Sequence, residues 1–523
     1  MVLLGSKALT LDEVHRILYE DAELTLDSSA LQNVFASHEF IKEFSQNKLI
    51  YGINTGFGPM AQYKISDANR VQLQYNLIRS HSAGAGKLLE PIQVKALMLS
   101  RLCGFMQGYS GVHTEVPQLL CDFINQNIYP CIYEHGGVGA SGDLVQLAHL
   151  ALVMIGEGEV LFNGTKIPAT DMFAQTGLAP INIHVREGLA IINGTSAMTG
   201  IGLINIILSK KLLHWSCICA AIINELVSAF DDHLSPQLNA VKKHQGQNRI
   251  AGILREMIEG STMIRHRPEH LYNENIAEVL QDKVQEYYSL RCIPQILGPI
   301  LDTIKNAELT ILDELNSVSD NPVIDHHEQN VYHGGNFHGD YVALEMDKLK
   351  TAITKLSMLS ERQINYLMND KLNLKFPPFL NLGKLGLNFG MQGVQFTATS
   401  TVAENQSLSF PMYVHSIPNN NDNQDIVSMG CNAAIMTAKV IDNTFEVLAI
   451  ELMSLMQAMD YLNNIEKFSP LAQSVYNDLR AIFPKFIEDA PRYGDIERIK
   501  QFLKNSSADW TEDLMKVDYQ PEQ

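Results

Sequence analysis

Positive charge is scarce in this chain: 39 Lys and Arg stand against 58 Asp and Glu, a formal net charge of −19 over 523 residues. Phosphate backbones would be repelled and no Lys/Arg run relieves the repulsion, so nucleic acid is excluded as a partner. Cysteine is also sparse. Seven are scattered through the chain and only Cys217 and Cys219 lie close together, which gives neither a disulfide framework nor a cysteine-rich zinc site and fits a reducing cytoplasm. The first residues, Met1 to Lys7, lack a basic region and a long apolar core, so a secretory signal is not expected. Missing too is a Ser/Pro-rich linker that would divide the chain. One uncharged run, the 22 residues from Gly188 to Ser209, is long enough to cross a bilayer. It holds Asn193, Gly194, Thr195, Ser196, Thr199, Gly200, Gly202 and Asn205, too many polar and small residues for a lipid-facing span. No membrane span is expected; a buried segment beside a polar site is.

What the chain has in quantity is apolar residues at helical spacing. A hydrophobic content of 46% can bury a large core. Thr10 and Glu13 form a capping-box signature ahead of Val14, Ile17 and Leu18. Residues 50–62, rich in Gly, Asn, Thr and Pro, predict a loop. Leu88, Ile92, Ala96 and Leu99 restore helical spacing, with Pro91 in the first turn. Long helices are expected over 212–231, apolar around nearly its whole circumference, over 288–315, and from Val440 to Met459. The fold class is mainly α. Three segments are expected within one continuous structural unit: 1–200, 201–463 as a central long-helix bundle, and a polar helical tail over 464–523.

The sharpest local feature is Gly136-Gly-Val-Gly-Ala-Ser-Gly-Asp143. In a tight bend, the Gly142 amide nitrogen can attack the Ala140 carbonyl carbon. Two dehydrations, the second removing the Ser141 hydroxyl, then leave a five-membered ring with an exposed methylidene group. Such an electrophile suits activation of a poor leaving group such as an amine. The rival is a dinucleotide fingerprint, since Gly137, Gly139 and Gly142 fit G-x-G-x-x-G and an apolar run, Leu144 to Ile155, follows. Against it, Ile128 to His135 makes a poor buried strand and no repeating βαβ pattern surrounds it, so no nucleotide is expected. A second cluster, His326, His327, His333 and His338, raises the question of a metal. Gly334, Gly335 and Asn336 interrupt it and no carboxylate spacing of a metal motif accompanies it, so none is expected.

Further blocks follow in order: Tyr51 to Met60, Asn76 to Gly84, Asn193-Gly-Thr-Ser196, Tyr288-Ser-Leu-Arg291, Asn316 to Pro322, Gly335-Asn-Phe-His-Gly339 and Asn423-Gln-Asp425. With the Gly136 to Asp143 block, the chain resembles the histidine/phenylalanine/tyrosine ammonia-lyase family, from Tyr51 through Asp425. The resemblance implies a long-helix bundle of the ammonia-lyase/fumarase-like superfamily, with lid loops over the active site. It implies a homotetramer whose active sites each draw residues from three subunits. It also implies a 4-methylidene-imidazole-5-one cofactor formed from Ala140, Ser141 and Gly142, with no metal.

The same resemblance assigns roles. Asn193 would donate to the ring oxygen. Tyr51 would take the β-proton, and Tyr288 would assist proton handling or hold the cofactor. Arg291 would hold the substrate carboxylate, for which a planar fork of donors is suited. Gly58, Gln285, Asn321, Phe337, Asn420 and Gln424 would line the substrate site. Ser80 and His81 occupy the side-chain selectivity position, where Ser-His occurs in histidine-acting and in some tyrosine-acting members. Gln424 separates them: histidine lyases carry a glutamate there, whereas phenylalanine- and tyrosine-acting members carry glutamine. Asn420 also resembles bacterial tyrosine-acting enzymes. The expectation is therefore deamination of an aromatic amino acid, tyrosine, with His81 binding the hydroxyl. An aminomutase using the same cofactor, a phenylalanine or histidine lyase, and a silent helical scaffold are the alternatives.

Overall fold

The computed structural model describes residues 1–46, 48–272, 278–279 and 283–506. Among them are twenty α-helices and nine strands, none of the strands longer than four residues. The strands form four small sheets of two or three strands each, so helices carry the architecture, as the mainly-α expectation required. The part of the expected tail beyond residue 506 lies outside the described residues; before it, Pro470–Ile482 and Tyr493–Asn505 are helices.

Contacts divide the chain into two compact units. The first comprises Met1–Ile207, Ala307–Asp347 and Pro411–Ala438. Its opening helix, Leu11–Tyr19, starts with both halves of the Thr10/Glu13 capping box in place, satisfying two otherwise unpaired backbone donors. Pro91 opens the Pro91–Met106 helix, where a missing N–H costs nothing. Val2–Leu4 pairs in parallel with Leu24–Leu26, and Glu159–Phe162 joins Tyr129–Pro130 and Thr165–Pro168 in an antiparallel sheet. Val323–Asp325 and Asn330–Tyr332 form a hairpin.

The second unit comprises Leu208–Asn306, Lys348–Phe410 and the described chain from Lys439 onward. Its buried residues follow the helical spacings of the sequence: Leu212, Ile218 and Ile222; Leu297, Leu301 and Ile304; Val440, Leu448 and Leu455, all without solvent exposure. At the start of Pro470–Ile482, Glu225 accepts from Ser469 N at 2.6 Å and from Ser469 Oγ at 2.9 Å.

Helix ends depart from the periodicity. The helix expected over 212–231 runs from Ser196 to Leu226 and stops where Ser228 takes a left-handed φ of 53°. The stretch expected over 288–315 is two helices, Tyr288–Arg291 and Ile293–Leu315. They break at Cys292 because Pro294 has no N–H to continue the first ladder. Ser196–Leu226 is the only helix among the described residues long and apolar enough to cross a membrane. Core burial accounts for its composition, since Ala197, Met198, Ile201, Leu203 and Ile206 are all 0% exposed. The uncharged run at 188–209 is moreover interrupted at Asn193, where the Glu187–Ile192 helix ends.

Candidate active site

Three helices of the first unit, Arg70–His81, Leu144–Met154 and Glu187–Ile192, pack against one another. Each brings a chemically notable residue to one of its ends. Ser80 and His81 close the first, the Ala140-Ser141-Gly142 triplet precedes the second, and Asn193 follows the third. Gly188 permits the closeness of the first and third: a Cβ there would stand 2.7 Å from the Gln74 carbonyl oxygen. Gln74 itself is fully buried. It donates to the Gly52 carbonyl at 3.1 Å and accepts from Leu189 N at 3.0 Å, tying the loop after Tyr51 to two of the three helices.

The triplet is bent and held from several sides. Gly142 has a φ of +74°, and a Cβ on it would run into the backbone of Gly194. Only glycine fits that approach. Asp143 N donates to Gly194 O at 2.8 Å. On the other flank, Ser428 Oγ donates to Gly139 O at 2.9 Å and Met429 N to Val138 O at 3.1 Å. Asn193 Nδ2 donates to Ser141 O at 2.9 Å, while its Oδ1 accepts from Asn321 N at 3.0 Å. The second bond fixes the orientation of the first, because a backbone N–H can only donate and so demands the oxygen end of the amide. Gln424 Nε2 donates to Ser141 Oγ at 2.9 Å.

Two buried ionisable side chains brace this arrangement. Arg101, 1% exposed, donates to the Ala190 carbonyl and to Asp320 Oδ1, the latter at 2.7 Å, linking the turn that carries Asn193 to the one that carries Asn321. Asp143, 0% exposed, accepts from Met198 N at 2.9 Å. Burial pushes its carboxyl up to about 7, with the nearby Glu314 adding to the rise and the backbone donors of Met198 and Ala197 opposing it. The folded chain therefore binds a proton that the unfolded chain releases between its ordinary value of 3.8 and about 7. This contribution to stability is complete below that window and is lost as pH rises through it, with a slope of up to about 1.4 kcal/mol per pH unit. Asp143→Asn, which keeps an acceptor for Met198 N, should remove that slope. Thermal midpoints recorded from pH 4 to 8 should show the advantage of the parent over the variant shrinking as pH rises; a constant difference would contradict the assignment.

A cavity of about 1130 Å³ in this unit is lined by Tyr51, Gly58, Ser80, His81, Ser141, Asn193, Asn321, Phe337, Asn420 and Gln424. Ten residues singled out from the sequence thus share one space, with Ala140 and Gly142 flanking Ser141. Gly58 N donates to Tyr51 Oη at 3.1 Å, and the Tyr51 ring meets Phe57 edge-on at 6.2 Å. His81 Nδ1 lies 2.9 Å from the Leu77 carbonyl oxygen and 3.1 Å from Ser80 Oγ. A carbonyl cannot donate, so Nδ1 carries the hydrogen and Nε2 of the neutral ring is an acceptor.

Gln285, Tyr288 and Arg291 do not line that cavity. They belong to the second unit, where Gln285 and Arg291 border a cavity of about 440 Å³ and all three border another of about 540 Å³. Arg291 Nη1 donates to Glu286 O at 2.5 Å, and its guanidinium stands 4.6 Å from the Tyr288 ring centre. Tyr288 is 69% exposed.

Sequence reasoning gave no role to Gln74, Arg101, Asp143, Asp320 or Ser428. Asp143 and Asp320 lie inside blocks already singled out, and a lone arginine in the apolar Pro91–Met106 helix was a readable sign of a buried partner. The dinucleotide alternative fails on topology: Tyr133–His135, just before the glycines, pairs antiparallel with Ala85–Leu88 and starts no parallel βαβ unit. Of the four clustered histidines, the rings of His326 and His327 lie 3.9 Å apart at their centroids, tilted by 37°, and His338 pairs with Asp340 at 3.3 Å. None belongs to the one group of three metal-ligating side chains found among the described residues.

Known proteins share this architecture. The sequence profile of a family described as aromatic amino acid lyase matches residues 9–481. A tyrosine 2,3-aminomutase of Myxococcus sp. (strain Mx-B0) is 36% identical over 519 residues, 98% of each chain. A histidine ammonia-lyase of Geobacillus sp. (strain WCH70) is 38% identical over 518 residues, 98% of this chain and 97% of that one. The crystal structure of a tyrosine aminomutase from Streptomyces globisporus superposes with a TM-score of 0.92 at 33% identity, covering 98% of this chain and 97% of that one.

Proposed function

The chain belongs to the aromatic amino acid lyase family, amino acid-processing enzymes with small-molecule substrates, and for this carbon–nitrogen lyase within it we propose non-oxidative deamination of L-tyrosine to trans-p-coumarate and ammonia. The proposed electrophile is the 4-methylidene-imidazole-5-one that Ala140, Ser141 and Gly142 can form. The residues fit that group: the bend at Gly142 is open only to glycine. When formed, the ring supplies an electron-poor methylidene carbon to which the substrate amine can bond. Everything else falls to ordinary side chains.

The observation that carries the reaction class is the Asn193 hydrogen bond. Attack by Gly142 N on the Ala140 carbon expels the Ala140 oxygen as water, and the second dehydration removes Ser141 Oγ. The Ser141 carbonyl oxygen alone survives on the ring, and it is the atom to which Asn193 donates at 2.9 Å. A donor fixed there stabilises negative charge developing on that oxygen. Tyr51, in the same cavity, takes the β-proton. Phe337 packs against the substrate ring, and Gly58, Ser80, Asn321, Asn420 and Gln424 complete the walls.

Tyrosine is favoured over phenylalanine by the His81 tautomer. With Nδ1–H spent on Leu77 O, Nε2 offers an acceptor to a phenol O–H, which phenylalanine cannot satisfy. Tyrosine is favoured over histidine by Gln424, which is neutral and, unlike a carboxylate, can neither pair with nor deprotonate a substrate imidazole. His81→Phe should lower kcat/KM for tyrosine by about tenfold or more, on the order of the loss of a hydrogen bond to a buried group, and raise the relative rate on phenylalanine. Urocanate from histidine as the main product of the parent would overturn the substrate assignment.

The similarity to two tyrosine aminomutases favours a second reading, in which ammonia returns to the β-carbon. Chromatography of the tyrosine reaction separates the two: coumarate supports the lyase, β-tyrosine the mutase.

The proposed assembly is a homotetramer with shared active sites. It is supported by exposed apolar side chains such as Leu387, Phe389, Phe396, Ile417 and Ile426, each at least 63% exposed. It would also bring Arg291, Tyr288 and Gln285 to a cavity that their own chain does not show them lining. Arg291 then holds the substrate carboxylate.

A further inference from the structure

Apart from the cavity, three ligand-bearing side chains of the first unit converge where the Glu187–Ile192 helix begins. The Glu187 side chain is 0% exposed. Its Oε1 accepts from His113 N at 2.7 Å and is bonded by His113 Nδ1, and its Oε2 accepts from His184 N at 2.6 Å. The imidazoles of His113 and His184 lie 4.7 Å apart at their centroids. One donor atom from each of His113, His184 and Glu187 falls within 4.8 Å of the other two. His38 flanks the group, its Nδ1 3.1 Å from Gly111 O and 3.9 Å from Glu187 Oε1. The proposed deamination uses none of these residues.

We propose that His113, His184 and Glu187 bind a divalent transition-metal ion, zinc above all, at a site separate from the reaction. Two imidazoles and a carboxylate are a donor set that suits zinc, with a fourth position left to water. Donors around tetrahedral zinc stand about 3.4 Å apart, so atoms now up to 4.8 Å apart must close by up to about 1.4 Å, while the hydrogen-bonded His113 Nδ1 and Glu187 Oε1 separate as the ion replaces the hydrogen between them. His184 is exposed and free to swing in, while two backbone N–H groups hold the carboxylate in place. The outer shell is built as well. With Nδ1 of His113 turned to the metal, its Nε2–H faces Glu115 Oε2 at 3.2 Å, the carboxylate–histidine relay that orients metal-binding imidazoles. Because Glu187 starts the helix that ends at Asn193, an ion here fastens the element carrying that residue to the segments around His113 and His184.

The test is a titration of untagged, chelator-treated full-length protein with cobalt(II) and then zinc sulfate. One cobalt per chain, with the visible absorption of a four-coordinate site and displacement by zinc, is expected, together with a rise in thermal midpoint. His184→Ala should bind at least tenfold more weakly and lose the thermal rise. The exposure of His184 means that its metal-free midpoint should match the parent. The double variant His326→Ala/His327→Ala should bind as the parent does. Unchanged binding in His184→Ala, or loss of binding in the His326/His327 variant instead, would overturn the proposal.

Discussion

Ser141→Ala should reduce the turnover of tyrosine by at least about four orders of magnitude, the scale reached when a group that the rest of a catalytic site serves is removed. Replacing the hydroxyl by hydrogen forbids the second dehydration, so no methylidene can form. The loss should therefore appear as mass as well as rate. Intact parent chains should lack two water masses, and variant chains should not lack both. Stability should change little, because the Ser141 Oγ bond to Gln424, at 2.9 Å, is partly buried and is lost from condensed parent chains too. If parent protein with full activity yields the unaltered Ala140-Ser141-Gly142 tripeptide on peptide mapping, the electrophile proposal fails. The same variant tests the shared sites. Co-expressed with Arg291→Ala, which is expected to be nearly inactive in isolation, Ser141→Ala should give mixed oligomers that regain part of the parent activity. Mixtures that stay inactive would mean that Arg291 serves the cavity of its own chain.

The parts of the site that sequence made legible are those whose chemistry fixes both residue type and chain spacing. Ala140, Ser141 and Gly142 must be contiguous for one backbone atom to reach another. Asn193 opens the contiguous Asn193-Gly-Thr-Ser196 block, and its hydrogen bond to Ser141 O puts that block in the same site. The parts that stayed hidden depend on contacts between residues far apart in the chain. Arg101 and Asp320 are 219 positions apart, and no local pattern announces that each neutralises the other's buried charge. Helix starts were hidden for a related reason. Ser196-Ala-Met-Thr-Gly-Ile-Gly202 reads as loop by propensity, yet it forms the first turns of a 31-residue helix. Packing overrides the preference: a Cβ on Gly200 would lie 2.5 Å from Leu97 N, so the small residues let two helices approach. The features proposed to select tyrosine are legible in the sequence only in outline. Ser80-His81 named the position, but the acceptor character of Nε2 came from the Leu77 carbonyl at 2.9 Å, one helical turn earlier.

Asn193→Ala is the second change with a large expected effect, and it separates stabilisation of charge from support of the backbone. Loss of a single donor aimed at developing negative charge costs about 10²- to 10³-fold in kcat, or ~2.7–4 kcal/mol of barrier, with KM expected to change much less. Asn193 has a second duty, however: its Oδ1 accepts from Asn321 N at 3.0 Å, so an alanine also frees the turn that carries Asn321. Asn193→Asp distinguishes the two. Aspartate has the same shape and keeps an acceptor for Asn321 N, but it presents oxygen instead of N–H to Ser141 O. If Asn193 acts mainly by holding the Asn321 turn, Asp should restore activity relative to Ala. If it acts by donating to the ring oxygen, Asp should be as inactive as Ala or more so, since a carboxylate would face the growing negative charge. Intact mass must accompany the kinetics, because a variant still lacking two water masses has built its electrophile and fails only in using it. A chain that retains both waters would move the role of Asn193 back to the condensation itself, where the same Nδ2 would hold the Ser141 carbonyl while Gly142 closes on Ala140.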